Sequence, residues 1–401
     1  MQRQIPVYEP ATGEVLAYVP DMSINEVRDA IDKAYDALPR LQSIPAYERA
    51  KLLMRVAQLI RGRREELARL LTREIGRPIK STRLIIERTA RIYELAAQEL
   101  PHVLTGEFVP LEVYDYPPGN ERRIAIVRRE PIGVVGAITP FNFPPDSMAH
   151  KVAPALAIGN TVVLKPSRYS PLTESEIAKL IIEAGFPEGS IVVVTGNSSM
   201  IGDEFVNNPK ISLITFTGSS KVGLELASRA ILNGKRVIME LGGSDAMIIL
   251  EDADLNKAVQ AATVGRFDYA GQFCNATKRV IVREEVYDEF VRRLAESVAR
   301  LKIGDPLSED TDVGPLISRE AVEVANRTEY GLDASIFTRD FSRAYRLASR
   351  IKAGTVFIND TTRLRFDNLP FGGFKKSGIG RESVKDTMME MSEVKVITYT
   401  L

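Results

Sequence analysis

The chain has a single cysteine, Cys274, in the run Gly271-Gln272-Phe273-Cys274-Asn275-Ala276-Thr277. A free cysteine is either a small buried hydrophobe or a group that does chemistry. Glycine, glutamine and asparagine around a thiol suit a turn with exposed backbone N–H groups better than a packed helix face. Such a turn lowers a thiol's pKa and makes it nucleophilic. Only two histidines exist, His102 and His150. His150 falls in a predicted helix beside Lys151, where a structural role fits. A Cys–His pair is nevertheless the general way to activate a thiol, and composition alone leaves both readings open. Metal ligands at useful spacing are lacking, as are the G-x-G-x-x-G, P-loop and G-x-S-x-G signatures. What remains is Gly218-Ser219-Ser220-Lys221-Val222-Gly223, directly after an apolar run and opening a predicted helix. Backbone N–H groups there can hold a phosphate, although many strand-to-helix turns need glycine. Lys165 follows the apolar run Thr161 to Leu164 and precedes proline. It is either a surface lysine or a cation placed to meet a ribose or phosphate.

These residues need a scaffold, and the hydrophobic pattern supplies one. From Pro131 onward the spacing predicts strands over 133–139, 161–164, 191–195, 211–217 and 237–241. Helices are predicted between them over 146–158, 173–184 and 219–232. Continuous apolar strands separated by helices indicate a parallel sheet covered on both faces. Such sheets bind ligands beyond the carboxyl ends of their strands. Thr139-Pro140, Lys165-Pro166, Thr195-Gly196, Thr217-Gly218 and Leu241-Gly242-Gly243 all fall at those ends. The N-terminal stretch reads as helical. Ser23-Ile24-Asn25-Glu26 has the form of a capping box, and amphipathic periods follow around 52–60 and 84–100, whose many arginines read as a solvated face. After Cys274 come a strand at 279–282, a helix at 287–301 and strands at 335–338 and 355–359. Val394 to Tyr399 alternates like an edge strand, which needs pairing or protection.

Composition narrows the classes. Lys plus Arg and Asp plus Glu both total 53, and 44% of residues are hydrophobic. A neutral, core-forming chain of 401 residues is expected to form two or three domains. It lacks the basic surplus of a nucleic-acid or membrane-surface binder. One cysteine excludes an internal disulfide. The segment MQRQIPVYEP has no apolar signal core, and no run approaches the ~20 apolar residues of a membrane helix. A cytoplasmic protein is expected, with no nucleic acid and no membrane among its partners.

Taken together, Thr139-Pro140-Phe141-Asn142-Phe143-Pro144, Leu164-Lys165-Pro166-Ser167, Phe216-Thr217-Gly218-Ser219, Glu240-Leu241-Gly242-Gly243 and Gly271-Gln272-Phe273-Cys274 resemble the aldehyde dehydrogenase superfamily in order and spacing, and Pro370-Phe371-Gly372-Gly373 and Ser377-Gly378 continue the likeness. Each motif alone is unspecific, but their conjunction is highly specific and spans nearly the whole chain. Within the superfamily the chain looks most like archaeal lactaldehyde and non-phosphorylating glyceraldehyde-type dehydrogenases.

The resemblance implies an α/β fold with a Rossmann-like cofactor domain, an α/β catalytic thiol domain and a small β oligomerisation arm. The implied cofactor domain covers 1–113 and 130–241, the arm 114–129 and 392–401, and the catalytic domain 242–391. Cys274 would be the nucleophile, and its thiolate would attack an aldehyde carbon. The Asn142 amide and the Cys274 backbone N–H would hold the oxyanion, where preorganised donors help most. Glu240 would activate water to release the acid from a thioester, which favours hydrolysis over acyl transfer. Along the sheet, Lys165 and Ser167 would meet the adenine ribose and Ser219 the pyrophosphate, with Gly218 and Gly223 allowing close backbone approach. Thr139, Pro140, Phe141, Thr217 and Leu241 would complete the cofactor wall. Many NAD-preferring members have glutamate after the Lys-Pro-Ser run; here Arg168 stands there, and a cation should attract a 2′-phosphate. NADP is therefore the expected cofactor, with NAD as an alternative. Arg363, Arg365 and Phe371 lie near the implied substrate tunnel, where the arginines either greet a hydroxyl-rich or anionic aldehyde or are surface charge. No metal is implied, and a homodimer or homotetramer is expected.

The chain departs from the family pattern once. Thr311 to Ser318 and Ala325 to Leu332 both fit, but only Arg319 to Val324 separates them, where family members place several tens of residues. The missing stretch normally carries a Glu-x-Phe-Gly-Pro run whose glutamate holds the nicotinamide ribose, and this chain has no such run. The alternative implied by that loss is a nucleotide-binding protein of the same fold with impaired catalysis.

Overall fold

The computed structural model describes residues 3–317 and 329–400, so the short join at Arg319–Val324 lies outside the described residues. The centre is a six-stranded sheet. Five strands run parallel, in the spatial order Arg236–Glu240, Ile211–Thr217, Val134–Ile138, Thr161–Lys165, Ile191–Val193. The chain steps outward from Val134–Ile138 to Ile191–Val193, then returns to lay Ile211–Thr217 on the opposite side. Strand order thus reverses between Val134–Ile138 and Ile211–Thr217, which is where an open α/β sheet leaves a crevice for ligands. Gly378–Ile379 closes the far edge antiparallel, with Gly378 opposite Glu240.

Both faces of this sheet are covered, and the strands show it residue by residue. Val135, Ala137, Val162, Leu164 and Leu213 pack into one core with the helices Ala46–Gly62, Ile79–Leu104, Pro144–Ile158 and Leu172–Glu183. Val134, Ile138, Val163, Ile214 and Phe216 pack into the other with Ile24–Gln42, Ser198–Asn207 and Ser220–Leu232. This is why the strands read as continuous apolar runs. Each fully buried side chain of Val, Leu, Ile or Phe is worth roughly 1.5–3 kcal/mol. The capping box is formed: Glu26 N–H donates to Ser23 Oγ, and Ser23 N–H to Glu26 Oε2 at 2.7 Å.

A second sheet of four parallel strands, in the order Thr277–Val282, Asp245–Ile249, Asp333–Phe337, Thr355–Ile358, carries the part of the chain after Glu240. The third sheet is antiparallel. Ser392–Thr400 pairs with Arg123–Pro131 from Ser392 opposite Pro131 to Thr400 opposite Arg123, and Glu107–Pro110 lies on the other side. The arm expected over 114–129 thus begins its main strand at Arg123 and gains a strand from before Tyr114. Pro117, Pro118 and Gly119 cannot extend a ladder, and 111–122 hold only two 3₁₀ turns.

Several elements escape the sequence pattern. Arg64–Ile75 is a helix closed by the left-handed Gly76, and Ser198–Asn207 and Leu255–Phe267 are helices capped by Asn197 and Asp254. The arginines of the N-terminal helices are not uniformly a solvated face. Arg49 is buried and donates to the Ala157 and Ile44 carbonyls, and Arg77 is fully buried. Among the described residues no helix is long and apolar enough to cross a membrane.

Candidate active site

Cys274 lies in the turn that leads into the strand Thr277–Val282. Three consecutive residues before it take left-handed backbone angles: Tyr269 at φ 47°, Ala270 at 53° and Gly271 at 73°. Such angles are costly for Tyr and Ala and persist only where the surroundings over-determine them. Here Tyr269 is buried with its hydroxyl donating to the Ile75 carbonyl at 2.7 Å. The turn does not lower the thiol's pKa as expected: burial pushes the half-buried thiol up to about 12, with Lys278 opposing and Asp245, Glu240 and Asp333 adding to the rise. Among the described residues, the Cys274 N–H donates to no acceptor. Asn142 Nδ2 donates to the Gln272 carbonyl at 2.9 Å, which ties the amide to the cysteine turn and leaves its second hydrogen unused.

Glu240 ends the strand Arg236–Glu240 at its carboxyl edge. It is buried, and neither carboxyl oxygen has a hydrogen-bond partner among the described residues. Burial raises its pKa well above the usual carboxylate range, and the neighbouring Glu382 raises it further. Glu382 behaves oppositely. Burial alone would raise it, but Lys151 and Arg365 outweigh that and hold it far below the usual range. Lys151 Nζ bridges Glu382 Oε2 at 2.6 Å and Thr217 Oγ1 at 2.7 Å, and Arg365 donates to Glu382 Oε1 at 2.7 Å. The pKa values of two neighbouring carboxyls are thus driven apart, one up and one down, which is how acid and base roles are divided. Gly372 must lack a side chain, because a Cβ would come within 2.9 Å of Glu240 Oε1.

All the residues expected to bind cofactor or substrate, Gly223 excepted, line one cleft of about 610 Å³ with Cys274, Glu240 and Asn142. It runs along the carboxyl ends of the parallel strands. Thr139 donates to the buried Glu174 at 2.9 Å, Pro140 and Phe141 follow it, and Phe141 meets Tyr169 edge-on. Lys165 is no surface lysine: it is 6% exposed, and burial pushes it down to about 8. Its ammonium donates to no acceptor among the described residues. Ser167 lies beside it, while the exposed Arg168 stacks over Tyr169 at 4.7 Å and donates to its hydroxyl. Across the crevice, Thr217, Gly218 and Ser219 form the turn into the helix Ser220–Leu232, with Ser219 as N-cap. Gly218 N–H donates to the Glu240 carbonyl at 3.0 Å, so this turn is fixed to the base of Glu240. Gly223 faces inward: a Cβ there would come within 2.3 Å of Leu241 Cδ2, so this glycine serves the packing of the helix behind the cleft wall.

At the other end of the cleft, Arg363 and Arg365 line the wall. Arg363 Nε donates to Asp268 at 2.8 Å, and its guanidinium stacks on Phe143 and Phe273 at 5.0 and 5.1 Å. Arg365 lies 4.1 Å above the buried Phe371 ring. Sequence reasoning missed their company. Arg88 from the helix Ile79–Leu104 pairs with Asp146 and Asp367, and His150 Nε2 contacts Asp367 at 3.1 Å. Burial pushes His150 down to about 4, so it is a neutral structural ring rather than a partner of Cys274. A signal for this cluster exists. Asp146, Ser147, His150 and Lys151 recur at i, i+1, i+4 and i+5 on a helix that is otherwise apolar and wholly buried. Among the described residues no acid, histidine and cysteine group could hold a metal.

A thiol, a buried carboxyl and an amide thus line one cleft at the carboxyl ends of the parallel strands. The sequence profile of the aldehyde dehydrogenase family matches residues 1–323 and 318–397. The chain belongs to the aldehyde dehydrogenase family. As such it is an oxidoreductase acting on aldehyde groups. It is similar to the lactaldehyde dehydrogenase of Methanocaldococcus jannaschii, 37% identical over 457 aligned positions that cover 98% of this chain and 96% of the relative. The 3-sulfolactaldehyde dehydrogenase of Priestia megaterium is 35% identical, with 94% and 91% covered. Among solved structures, glyceraldehyde-3-phosphate dehydrogenase GapN from M. jannaschii complexed with NADP superposes with a TM-score of 0.93 at 36% identity, with 100% of each chain covered. The alignment of 457 positions is longer than the whole chain of 401 residues, and the two profile segments meet at 318–323.

Proposed function

We propose that this aldehyde dehydrogenase oxidises a small hydroxylated or anionic aldehyde, of the lactaldehyde or glyceraldehyde 3-phosphate kind, to the carboxylic acid with NADP. The reaction would pass through a thiohemiacetal and a thioester on Cys274. The observation that carries this reading is that Cys274, Asn142 and Glu240 line one cleft together with Lys165, Arg168, Arg363 and Arg365. Lys165, a buried ammonium with no acceptor among the described residues, suits ribose hydroxyls. The exposed Arg168 beside it suits a 2′-phosphate, and the Ser219 turn offers helix N–H groups to the pyrophosphate. NADP, when bound, supplies the hydride acceptor beside the thiol.

The residues of the chain do the rest. Cys274 gives up its proton to water in the cleft, its thiolate Sγ bonds to the aldehyde carbon as the C=O π pair moves to oxygen, and the resulting oxyanion lies between the Cys274 N–H and the free hydrogen of Asn142 Nδ2. Loss of one such donor typically costs ~10²–10³ in rate. After oxidation to the thioester, Glu240 takes a proton from water as the hydroxyl attacks the carbonyl carbon, and the C–S bond breaks. Its unpartnered oxygens are free to meet that water, and its raised pKa makes it a stronger base once ionised. Arg363, anchored through Nε, keeps its terminal nitrogens for a phosphate, sulfonate or hydroxyl group at the far end of the substrate.

A second reading rests on the 457-position alignment. Several tens of residues of that relative have no counterpart here, and the chain lacks a Glu-x-Phe-Gly-Pro run. Under this reading the protein binds NADP but turns over slowly, because misplacing a reacting group by about 1 Å can cost ~10²-fold. One experiment separates the two. Purified protein with NADP is offered lactaldehyde, glyceraldehyde 3-phosphate and an apolar aldehyde of similar size. A rise in reduced-nicotinamide absorbance that prefers the polar aldehydes and vanishes in Cys274→Ser supports the enzyme. NADP binding without turnover supports the second reading, and a preference for the apolar aldehyde refutes the substrate assignment.

The exposed apolar side chains of the third sheet, Phe108, Ile126, Val394, Val396 and Tyr399, support a homodimer or homotetramer joined through this arm, which light scattering tests. A reducing cytoplasmic setting suits a thiol that must stay free.

A further inference from the structure

The cysteine turn makes few backbone hydrogen bonds of its own; the Ala276 N–H reaches the Phe273 carbonyl only at 3.4 Å. The Gln272 and Asn275 carbonyls accept from Asn142 and Thr362, and the other three go to one side chain. Lys278 Nζ lies 2.8 Å from the Cys274 carbonyl oxygen, 3.2 Å from that of Phe273 and 3.5 Å from that of Ala276. Gly243 approaches the same oxygen closely: a Cβ there would come within 2.5 Å of it. The Cys274 carbonyl is thus clamped by the Lys278 ammonium, close to the connection that follows Glu240.

Peptide geometry turns this clamp into an aiming device. The peptide unit is planar and trans, so its C=O and N–H point in opposite directions. The Phe273 carbonyl and the Cys274 N–H belong to one such plane. Holding the carbonyl toward Lys278 therefore turns the Cys274 N–H away from it.

We propose that Lys278 is a positioning residue for the nucleophile: its ammonium gathers the Phe273, Cys274 and Ala276 carbonyls, which aims the Cys274 N–H as an oxyanion donor and sets a fixed cation beside the thiol. This rests on the reading of Cys274 as the nucleophile. The cation is supported from around it. Burial lowers the Lys278 pKa, and Asp245, the first residue of the strand Asp245–Ile249, and the thiol itself oppose that, while Arg266 from the helix Leu255–Phe267 adds to the lowering. Asp333 and Arg279 complete the charged surroundings of this corner.

The test uses Lys278→Met, Lys278→Gln and Lys278→Arg in the full chain. Two readouts are followed: the pH profile of Cys274 alkylation by iodoacetamide, read by mass spectrometry, and the single-turnover burst of reduced nucleotide with NADP and aldehyde. An opposite charge at close range typically moves a pKa by ~1–3 units. Lys278→Met should therefore slow alkylation near pH 8 by about tenfold or more and shift the profile to higher pH. The burst should slow by about 10–100-fold, less than outright loss of a donor. Lys278→Arg should restore both, and Lys278→Gln, which can reach one carbonyl without charge, should fall between. A folded Lys278→Met with wild-type alkylation and burst overturns the proposal. If Lys278→Met does not fold, wild-type profiles in Lys278→Gln overturn it equally. Failure of the nucleophile reading looks different, with full turnover surviving in Cys274→Ser.

Discussion

Replacing Glu240 by Gln isolates the second half of the reaction. Neither Glu240 oxygen has a protein partner, so the isosteric amide breaks no hydrogen bond among the described residues. In the proposed mechanism, attack by Cys274 and formation of the thioester do not require the carboxylate, whereas release of the acid does. The variant should therefore give a rapid burst of reduced nucleotide, close to one per chain, followed by steady turnover about 10²–10⁴-fold below wild type, the usual contribution of a positioned general base. Wild-type hydrolysis should rise with pH as Glu240 ionises through its raised pKa, and that limb should be missing from the variant. Steady turnover within a few-fold of wild type, or the absence of a burst, would show that Glu240 is not the base.

The same substitution carries a stability signature of known sign. Burial, then Glu382, raise the folded-state pKa of Glu240. Below the unfolded value, near ~4.3, both states hold the proton and Glu240 adds nothing. As pH rises above it, the unfolded chain ionises while the folded one does not, and stability is lost until the folded pKa is passed. Each unit of elevation amounts to about 1.4 kcal/mol. Glu240→Gln should thus match wild type in urea unfolding at pH 4 and exceed it at pH 8. A variant less stable at pH 8 would mean that the carboxyl has a stabilising partner.

Three further outcomes are expected. Arg168→Glu should lower kcat/KM for NADP about 10–100-fold, since a hydrogen bond to a charged group is worth about 1.5–3 kcal/mol, while NAD use is kept or improved; an unchanged NADP to NAD ratio refutes the role of Arg168. Gly223→Ala should cost about 1–3 kcal/mol by overpacking and weaken NADP binding, because the 2.3 Å approach to Leu241 pushes that side chain into the cleft; calorimetric titration and thermal melts check both. His150 is held down to about 4 by burial, so stability should fall as pH drops from about 6.5 toward 4, where the unfolded chain takes up a proton that buried His150 refuses. Between pH 7 and 4.5 this amounts to about 2–3 kcal/mol, and His150→Gln should abolish it in urea unfolding.

The sheet was legible in the sequence because its strands are buried on both faces, and Val134, Val135, Val162 and Val163 therefore read as unbroken apolar runs. Asn142 and Glu240 were legible because each ends or follows such a run, and Cys274 because it is the one cysteine, set among turn-forming residues. The ion network was harder to see. Lys151, Glu382 and Arg365 lie far apart along the chain, and only tertiary folding brings Glu382 against Glu240. Lys278 was invisible for another reason: its three acceptors are backbone carbonyls, which no residue pattern announces. Gly223 read as a glycine for cofactor approach, yet its space is filled by Leu241 and Phe216. A glycine pattern reports a close contact without saying which group makes it.

The shortened join bears on one half of the site more than the other. On its N-terminal flank, Ile317 N–H donates to Gln272 Oε1 at 2.9 Å, and Gln272 in turn receives Asn142 through its carbonyl. On its C-terminal flank, Gly331 N–H donates to Ser377 Oγ at 2.9 Å, and the Tyr330 ring lies 3.3 Å from where a Cβ on Gly242 would sit. Both flanks are therefore pinned to the turns that carry Cys274 and follow Glu240. The thiol, its amide donor and the buried carboxyl draw their positions from described residues, whatever the length of the join between those flanks. The nicotinamide ribose has no such guarantee, because the run that would hold it is missing from the chain. Chemistry at Cys274 that needs no cofactor, such as alkylation, should then proceed as in the relatives. Under the second reading, the steps that need the nicotinamide aligned are the slow ones, with a weakened burst rate rather than a lost nucleophile.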